Sequence, residues 1–131
     1  MPTPIAIAVV EHEGRFLIGQ RPEGVSLAGL WEFPGGKIEA GETPERALVR
    51  ELSEELAIRV ESQNLAPACF ASATLGDRQL LLLLYICRIW DGIPQAVESP
   101  ELGWFAISEM RGLAMPPADH PLLDLLGRLT G

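Results

Sequence analysis

The sequence predicts an α/β (α+β) fold, a mixed β-sheet flanked by two main helices. Three observations predict it. Short apolar, β-rich runs recur between turn signals. One breaker-free amphipathic stretch falls among those runs and a second ends the chain. With 47% apolar and 21% charged residues, a chain of 131 residues can fill a core. Length and composition read as one domain over residues 1–131.

The elements follow in order. Residues 5–10 form an apolar run that residues 15–19 resume after Glu13-Gly14, so the two make a hairpin. Residues 21–36 carry Pro22, Gly24, Gly29, Pro34, Gly35 and Gly36, too many breakers for a helix, and read as an ordered loop with a short strand at 30–33. Thr43 caps a helix with Pro44 at its first position and no breaker through residue 57. Residues 66–74 and 79–90 are strands joined by a turn at Gly76-Asp77. A short strand follows at 102–107. Ser108 caps one helical turn, and residues 121–129 have the leucine spacing of a terminal amphipathic helix.

Charge and composition exclude several classes. Ten Lys and Arg against eighteen Asp and Glu leave a net charge of −8, which repels a polyphosphate backbone and argues against nucleic-acid polymers as partners. The longest apolar run, residues 80–87, is eight residues against the ~20 needed to cross a bilayer, so it reads as a buried strand and no membrane partner is expected. No basic n-region precedes residues 5–10, so no signal peptide is expected. Cys69 and Cys87 show no metal or redox spacing and read as buried free thiols of a cytoplasmic protein, with a disulfide as the alternative.

The informative stretch is residues 36–58. Glu51, Glu54 and Glu55 fall at i, i+3 and i+4 on one helix face, while Leu48, Leu52 and Leu56 line a neighbouring face that can enter the core. Like charges so spaced cost a helix ~0.2–0.5 kcal/mol per pair, and only Arg50 is adjacent to offset them. Charge spacing by itself leaves two readings, a solvated acidic face or a seat of hard oxygen ligands for Mg²⁺ or Mn²⁺. Gly35-Gly36 ahead of the helix, Gly41 in the loop before it and Glu42 one turn ahead favour the seat, because glycine lets backbone approach a ligand closely.

At this point the string resembles the Nudix box: Gly36, Glu42, Arg50, Glu51, Leu52, Glu54, Glu55 and Ile58 stand at its spacing. Ala57 stands where the box has glycine, a mild replacement if the backbone there keeps a negative φ. The resemblance extends over nearly the whole chain to the MutT branch, through residues 30–39, Gln20-Arg21 and Pro116-Pro117-Ala118-Asp119. It implies a Nudix-type α/β/α sandwich, a divalent metal, and hydrolysis of a nucleoside triphosphate, 8-oxo-dGTP, to the monophosphate and pyrophosphate.

The site residues follow from that resemblance. Glu51, Glu54 and Glu55, with the carbonyl of Gly35, are expected to hold Mg²⁺, with Mn²⁺ as substitute. Glu98 matches a fourth carboxylate by its distance from Trp104, the alternative being an exposed loop glutamate. Glu51, Glu54 and Glu98 form the expected catalytic set, with Glu51 or Glu98 as general base for attack on the β-phosphorus. Arg21 and Arg78 are candidates for the triphosphate or ordinary surface charges, and Lys37 adds charge nearby. Glu32, Phe33 and Pro34 shape the base pocket.

Asp119 opens the choice of substrate. The MutT pattern has asparagine there, which both donates and accepts, whereas an ionised Asp only accepts. Relatives acting on CTP and modified cytosine triphosphates share Ala-Asp here, so pyrimidine or broad specificity stands beside 8-oxo-dGTP. A non-catalytic recognition module is a further alternative, one that typically loses the box carboxylates. A monomer or a homodimer is expected.

Overall fold

The computed structural model describes residues 1–130, apart from the side chains of Ala118 and Thr130. Among the described residues, seven strands and three α-helices succeed one another: β1 (Thr3–His12), β2 (Arg15–Gln20), β3 (Trp31–Glu32), β4 (Gly35–Lys37), α1 (Pro44–Leu56), β5 (Leu65–Leu75), β6 (Arg78–Cys87), β7 (Leu102–Phe105), α2 (Ile107–Met110) and α3 (His120–Thr130). The predicted α+β class with a mixed sheet is the one observed. No helix among the described residues is long and apolar enough to cross a membrane.

β1 organises the sheet. One edge pairs in parallel with β6 from Thr3 opposite Leu80 to Val10 opposite Cys87, and β5 continues beyond β6 antiparallel. The other edge of β1 is shared. β4 takes Ile5 to Ile7, the Ala8 N–H donates to Pro34 O (2.9 Å), and β2 takes Glu11 and His12. β2 in turn carries β3 along one part and β7 along another. The β1–β2 turn runs through Glu13 and Gly14, both at positive φ (51° and 78°), the twist-matched geometry of a two-residue hairpin.

Strand alternation sends side chains to two cores. Ala6, Ala8 and Val10 meet α1 through Ala47, Leu48, Leu52 and Leu56, and Tyr85 and Cys87 join them. On the opposite face Ile7, Val9, Phe16, Ile18, Leu82 and Leu84 pack beneath Leu122, Leu123 and Leu126 of α3 and Met110 of α2. Each fully buried leucine contributes ~1.5–3 kcal/mol, so the leucine stripes dock both helices and complete the α/β/α layering.

Several boundaries differ from those the sequence predicts. The strand expected to run to residue 90 ends at Cys87, where β1 stops supplying a partner; beyond it Trp90 stacks on Trp104 at 6.0 Å and Asp91 bridges to Arg59. β4 was not expected, because a Gly-Gly-Lys tripeptide has no strand signature and pairs only because β1 offers an edge. The turn at residues 107–110 begins after Ala106, whose N–H donates to Glu109 Oε1 (2.9 Å), so Ser108 is not its cap. The largest correction is at Ala57, where φ is +57° and ψ 32°. The condition under which alanine replaces glycine mildly is therefore not met. Cys69 and Cys87 are free thiols, both pushed up in pKa by burial.

Candidate active site

The site is built where β4 turns into the loop before α1. Thr43 caps the helix, its Oγ1 accepting from the Arg46 N–H (3.2 Å), and the Leu48, Leu52 and Leu56 stripe fixes the helix roll. That roll carries Glu51 and Glu55 against β4. Glycine is required twice over there. Gly35 has φ +149°, and a Cβ on it would press into the carbonyl of Ala6; a Cβ on Gly36 would lie 2.5 Å from Glu51 Oε1. The space a side chain on Gly36 would fill is occupied by the Glu51 carboxylate, and that on Gly35 by the backbone of β1.

Glu55 accepts from the Gly35 N–H (3.2 Å) and lies within hydrogen-bonding reach of Glu51. Burial first, then the hydrogen bond and charge of Glu51, push its pKa up to about 9, with Glu98 adding to the rise. The Glu55 carboxyl is thus held toward its protonated form beside Glu51. Arg50 holds the outer rim. Its Nε and Nη2 donate to Glu42 (2.9 Å each), its Nη1 to Glu51 (2.9 Å) and Glu54 (3.5 Å), and its Nη2 also to Lys37 O (3.2 Å). The Arg50 hydrogen bonds lower the Glu42 pKa to about 2.

The donor set fits a hard divalent cation: carboxylate oxygens, a glycine hollow and a self-repelling pair that positive charge would relieve. Among the described residues, no three His, Cys, Asp or Glu side chains already converge as a metal cage. Glu54 is exposed and turned to Arg50, and Glu98 stands exposed on the loop after β6, near enough for its charge to act on Glu55. That loop is fastened to the end of α1, the Gln95 N–H donating to Leu56 O (2.8 Å) and the Val97 N–H to Glu55 O (3.3 Å).

A second cluster lies across β2. Arg21 Nη1 donates to both oxygens of Glu32 (3.2 and 3.0 Å) and its Nε to Ser26 O (2.7 Å), so this cation faces Glu32 and not outward. Asp119 ends a 3-10 turn (Pro117–Asp119) and is buried; desolvation, aided by the Glu32 charge and opposed by Arg21, raises its pKa to about 7. Phe33 and Pro34 are buried, Phe33 as part of the α3-side core. Glu32, Phe33, Pro34 and Glu55 share one crevice, so this cluster adjoins the box carboxylates.

Not every expected residue arrives. Lys37 is exposed at the end of β4, close to Arg50 through its carbonyl. Arg78 does not reach the box, because the parallel β1–β6 pairing sets it two residues before the Thr3–Leu80 level, whereas Gly35 is level with Ile7 and Leu84. Six residues of strand separate the two, about 20 Å. Arg78 instead borders a surface depression with Met1, Thr3 and Asp77. Sequence reasoning missed Gly19 and Ser99, which line the Glu32–Glu55 crevice; a Cβ on Gly19 would lie 2.7 Å from Ser99 Oγ. A glycine inside an apolar strand marks such close approach and was the available signal.

Comparison with known proteins agrees with this geometry. The NUDIX domain family matches residues 5–125. The 8-oxo-dGTP diphosphatase of Escherichia coli K12 is 34% identical over 126 residues, 95% of this chain and 96% of that protein. The CTP pyrophosphohydrolase of the same strain is 36% identical over 120 residues, 92% of this chain and 87% of that one. The solution structure of the E. coli ORF135 protein superposes with a TM-score of 0.87 at 34% identity, covering 98% of this chain and 91% of that chain. A MutT NUDIX hydrolase from Burkholderia pseudomallei superposes at 0.81 with 28% identity, covering 96% and 98%. With the box helix, its glycine hollow and its carboxylates in place, the chain belongs to the Nudix hydrolase family.

Proposed function

We propose that the chain is a Mg²⁺-dependent nucleoside triphosphate pyrophosphohydrolase that converts 8-oxo-dGTP to its monophosphate and pyrophosphate. The observation that carries this reading is the half-buried Glu51–Glu55 carboxyl pair beside Gly35-Gly36, with Glu54 and Glu98 exposed nearby. Gly35, Glu51, Glu54, Glu55 and Glu98 would hold the cation. When bound, Mg²⁺ (or Mn²⁺) supplies bridging of phosphate oxygens and neutralisation of the charge that develops on them.

The chain's own residues do the rest. Glu51 or Glu98 takes the proton of the attacking water, while Arg50 keeps Glu51 oriented. Lys37, exposed beside the box, meets the phosphates. Glu32, Phe33, Pro34 and Asp119 receive the base, and Arg21 acts on the base pocket through Glu32. Asp119 beside Glu32 also supports a second reading, hydrolysis of cytosine triphosphates, because carboxyl oxygens accept from the cytosine N4 amine.

The test is pyrophosphate release from 8-oxo-dGTP, dGTP and 5-methyl-dCTP with Mg²⁺ or Mn²⁺. Turnover of 8-oxo-dGTP above dGTP is expected, and no turnover of any triphosphate would sink the proposal. Full activity of the Glu54→Gln, Glu55→Gln double variant would overturn the metal assignment.

A further inference from the structure

Between β6 and β7 the chain makes a long excursion whose course is set by backbone hydrogen bonds at three places. Asp91 exchanges such bonds with Arg59 (2.9 and 3.0 Å). The Gln95 and Val97 N–H groups donate to Leu56 O (2.8 Å) and Glu55 O (3.3 Å) at the end of α1. Glu101 O accepts from the Gln20 N–H (3.0 Å), where β7 joins β2. Glu98, Ser99 and Pro100 span the gap between Val97 and Glu101 and make no backbone hydrogen bond among the described residues. Glu98 is exposed, and its carboxylate makes no hydrogen bond or ion pair among them either. Its position is therefore inherited from the backbone on either side.

Ser99 supplies the grip that backbone bonds do not. It lines the crevice shared by Gly19, Glu32, Phe33, Pro34 and Glu55. Gly19 is buried in β2, level with Leu102 of β7. A Cβ on Gly19 would lie 2.7 Å from Ser99 Oγ and 3.2 Å from Ser99 Cβ, so the serine occupies the space that a side chain at position 19 would take. Leu102 Cδ2, 2.9 Å from that Cβ, closes the same space from β7. The φ of Gly19 is not positive, so backbone conformation does not demand glycine there. The Ser99 hydroxyl makes no hydrogen bond among the described residues, which leaves close fit as the reason for the pairing.

Building on the nucleotide-hydrolase reading, we propose that Gly19 is a positioning residue: the gap it leaves in β2 seats Ser99, and the seated Ser99 fixes the backbone that carries Glu98 beside the box. Glu98 then has one neighbour, Val97, tied to α1 and the other wedged against β2. A side chain at position 19 would lift Ser99 and carry the Glu98 carboxylate away. Glu51, Glu54 and Glu55 would stay in place, because Leu48, Leu52 and Leu56 dock α1 independently of this loop. Displacing a reacting group by ~1 Å costs about a hundredfold in rate, so a small lift has a large effect.

Two measurements test it. NMR order parameters of the metal-free full chain read the seat without any turnover. In wild type the Glu98 and Ser99 amides are expected to be as ordered as β2, about 0.85, and in Gly19→Val to fall toward about 0.6. Adding Ser99→Gly to Gly19→Val makes room for the new side chain and is expected to restore order. Rate reads the consequence. With 8-oxo-dGTP and Mg²⁺, kcat is expected to fall about ten- to a hundredfold in Gly19→Val and to recover in the double variant. In a Glu98→Gln background Gly19→Val is expected to cost nothing further, because it acts through that carboxylate. A side chain that merely blocked the crevice would lower activity in both backgrounds. Gly19→Ala serves the same comparisons if Gly19→Val does not fold. Low order at Glu98 in wild type, losses that add to that of Glu98→Gln, or no recovery with Ser99→Gly would each overturn the proposal. Absence of turnover in wild type would instead sink the hydrolase reading and leave the order parameters to decide the seat.

Discussion

Ala57→Gly is expected to stabilise the metal-free chain by about 0.5–1 kcal/mol. Ala57 ends α1 in the left-handed region, φ 57° and ψ 32°, where an L-residue with a Cβ carries ~1–2 kcal/mol of strain. Glycine removes that strain but gives the unfolded chain more freedom, a loss of ~0.5–1 kcal/mol. The methyl is exposed, so no buried contact is lost, and the Ala57 N–H bond to Ser53 O (3.1 Å) is a backbone bond that survives. The balance corresponds to a rise in Tm of about 2–5 °C for a chain of this size. Urea unfolding followed by the fluorescence of Trp31, Trp90 and Trp104 at pH 7 in EDTA reads it directly. A higher midpoint at constant slope is expected, with turnover unchanged. A midpoint equal to or below wild type would refute the strain argument.

Glu55→Gln should raise the metal-free Tm at pH 8 by a few degrees while abolishing Mg²⁺-supported turnover. The sign follows from a folded pKa of about 9 above an unfolded value of 4.5: between these the unfolded chain releases the proton first, so wild-type stability falls as pH rises through the window. A variant no more stable than wild type at pH 8 would contradict this. Arg50→Ala should flatten the acid limb of stability between pH 4.5 and 2. Glu42, with its folded pKa lowered to about 2, contributes stability present above its unfolded pKa and lost as pH falls through the folded one; an unaltered acid limb by circular dichroism would count against it. Gly36→Ala should cut kcat by at least an order of magnitude with a small change in Tm, because its Cβ would displace only the flexible end of Glu51. Unfolding of this variant, or wild-type kcat, would argue against the glycine hollow.

Much of the site was legible because it is local. Thr43, Pro44 and the Leu48, Leu52 and Leu56 stripe fix where α1 begins and which face it buries, and those two facts alone bring Glu51 and Glu55 to one side. The hairpins at Glu13-Gly14 and Gly76-Asp77 are equally local, since turn residues carry their own backbone preference. β4 was not legible, because its pairing depends on a vacant edge of β1 that appears only when the sheet assembles.

By itself the sequence determined the box, its helix, the acidic excess gathered there and the α+β class. Helix periodicity and turn chemistry act over a few residues, so one strand of text suffices to read them. Only the tertiary structure decided what distant residues do to one another. The parallel β1–β6 register set Arg78 away from the box, and the opposed strands β2 and β3 turned Arg21 onto Glu32. Burial beside that ion pair gave Asp119 its raised pKa. Desolvation and charge coupling depend on what surrounds a group in space, which the order of residues does not state.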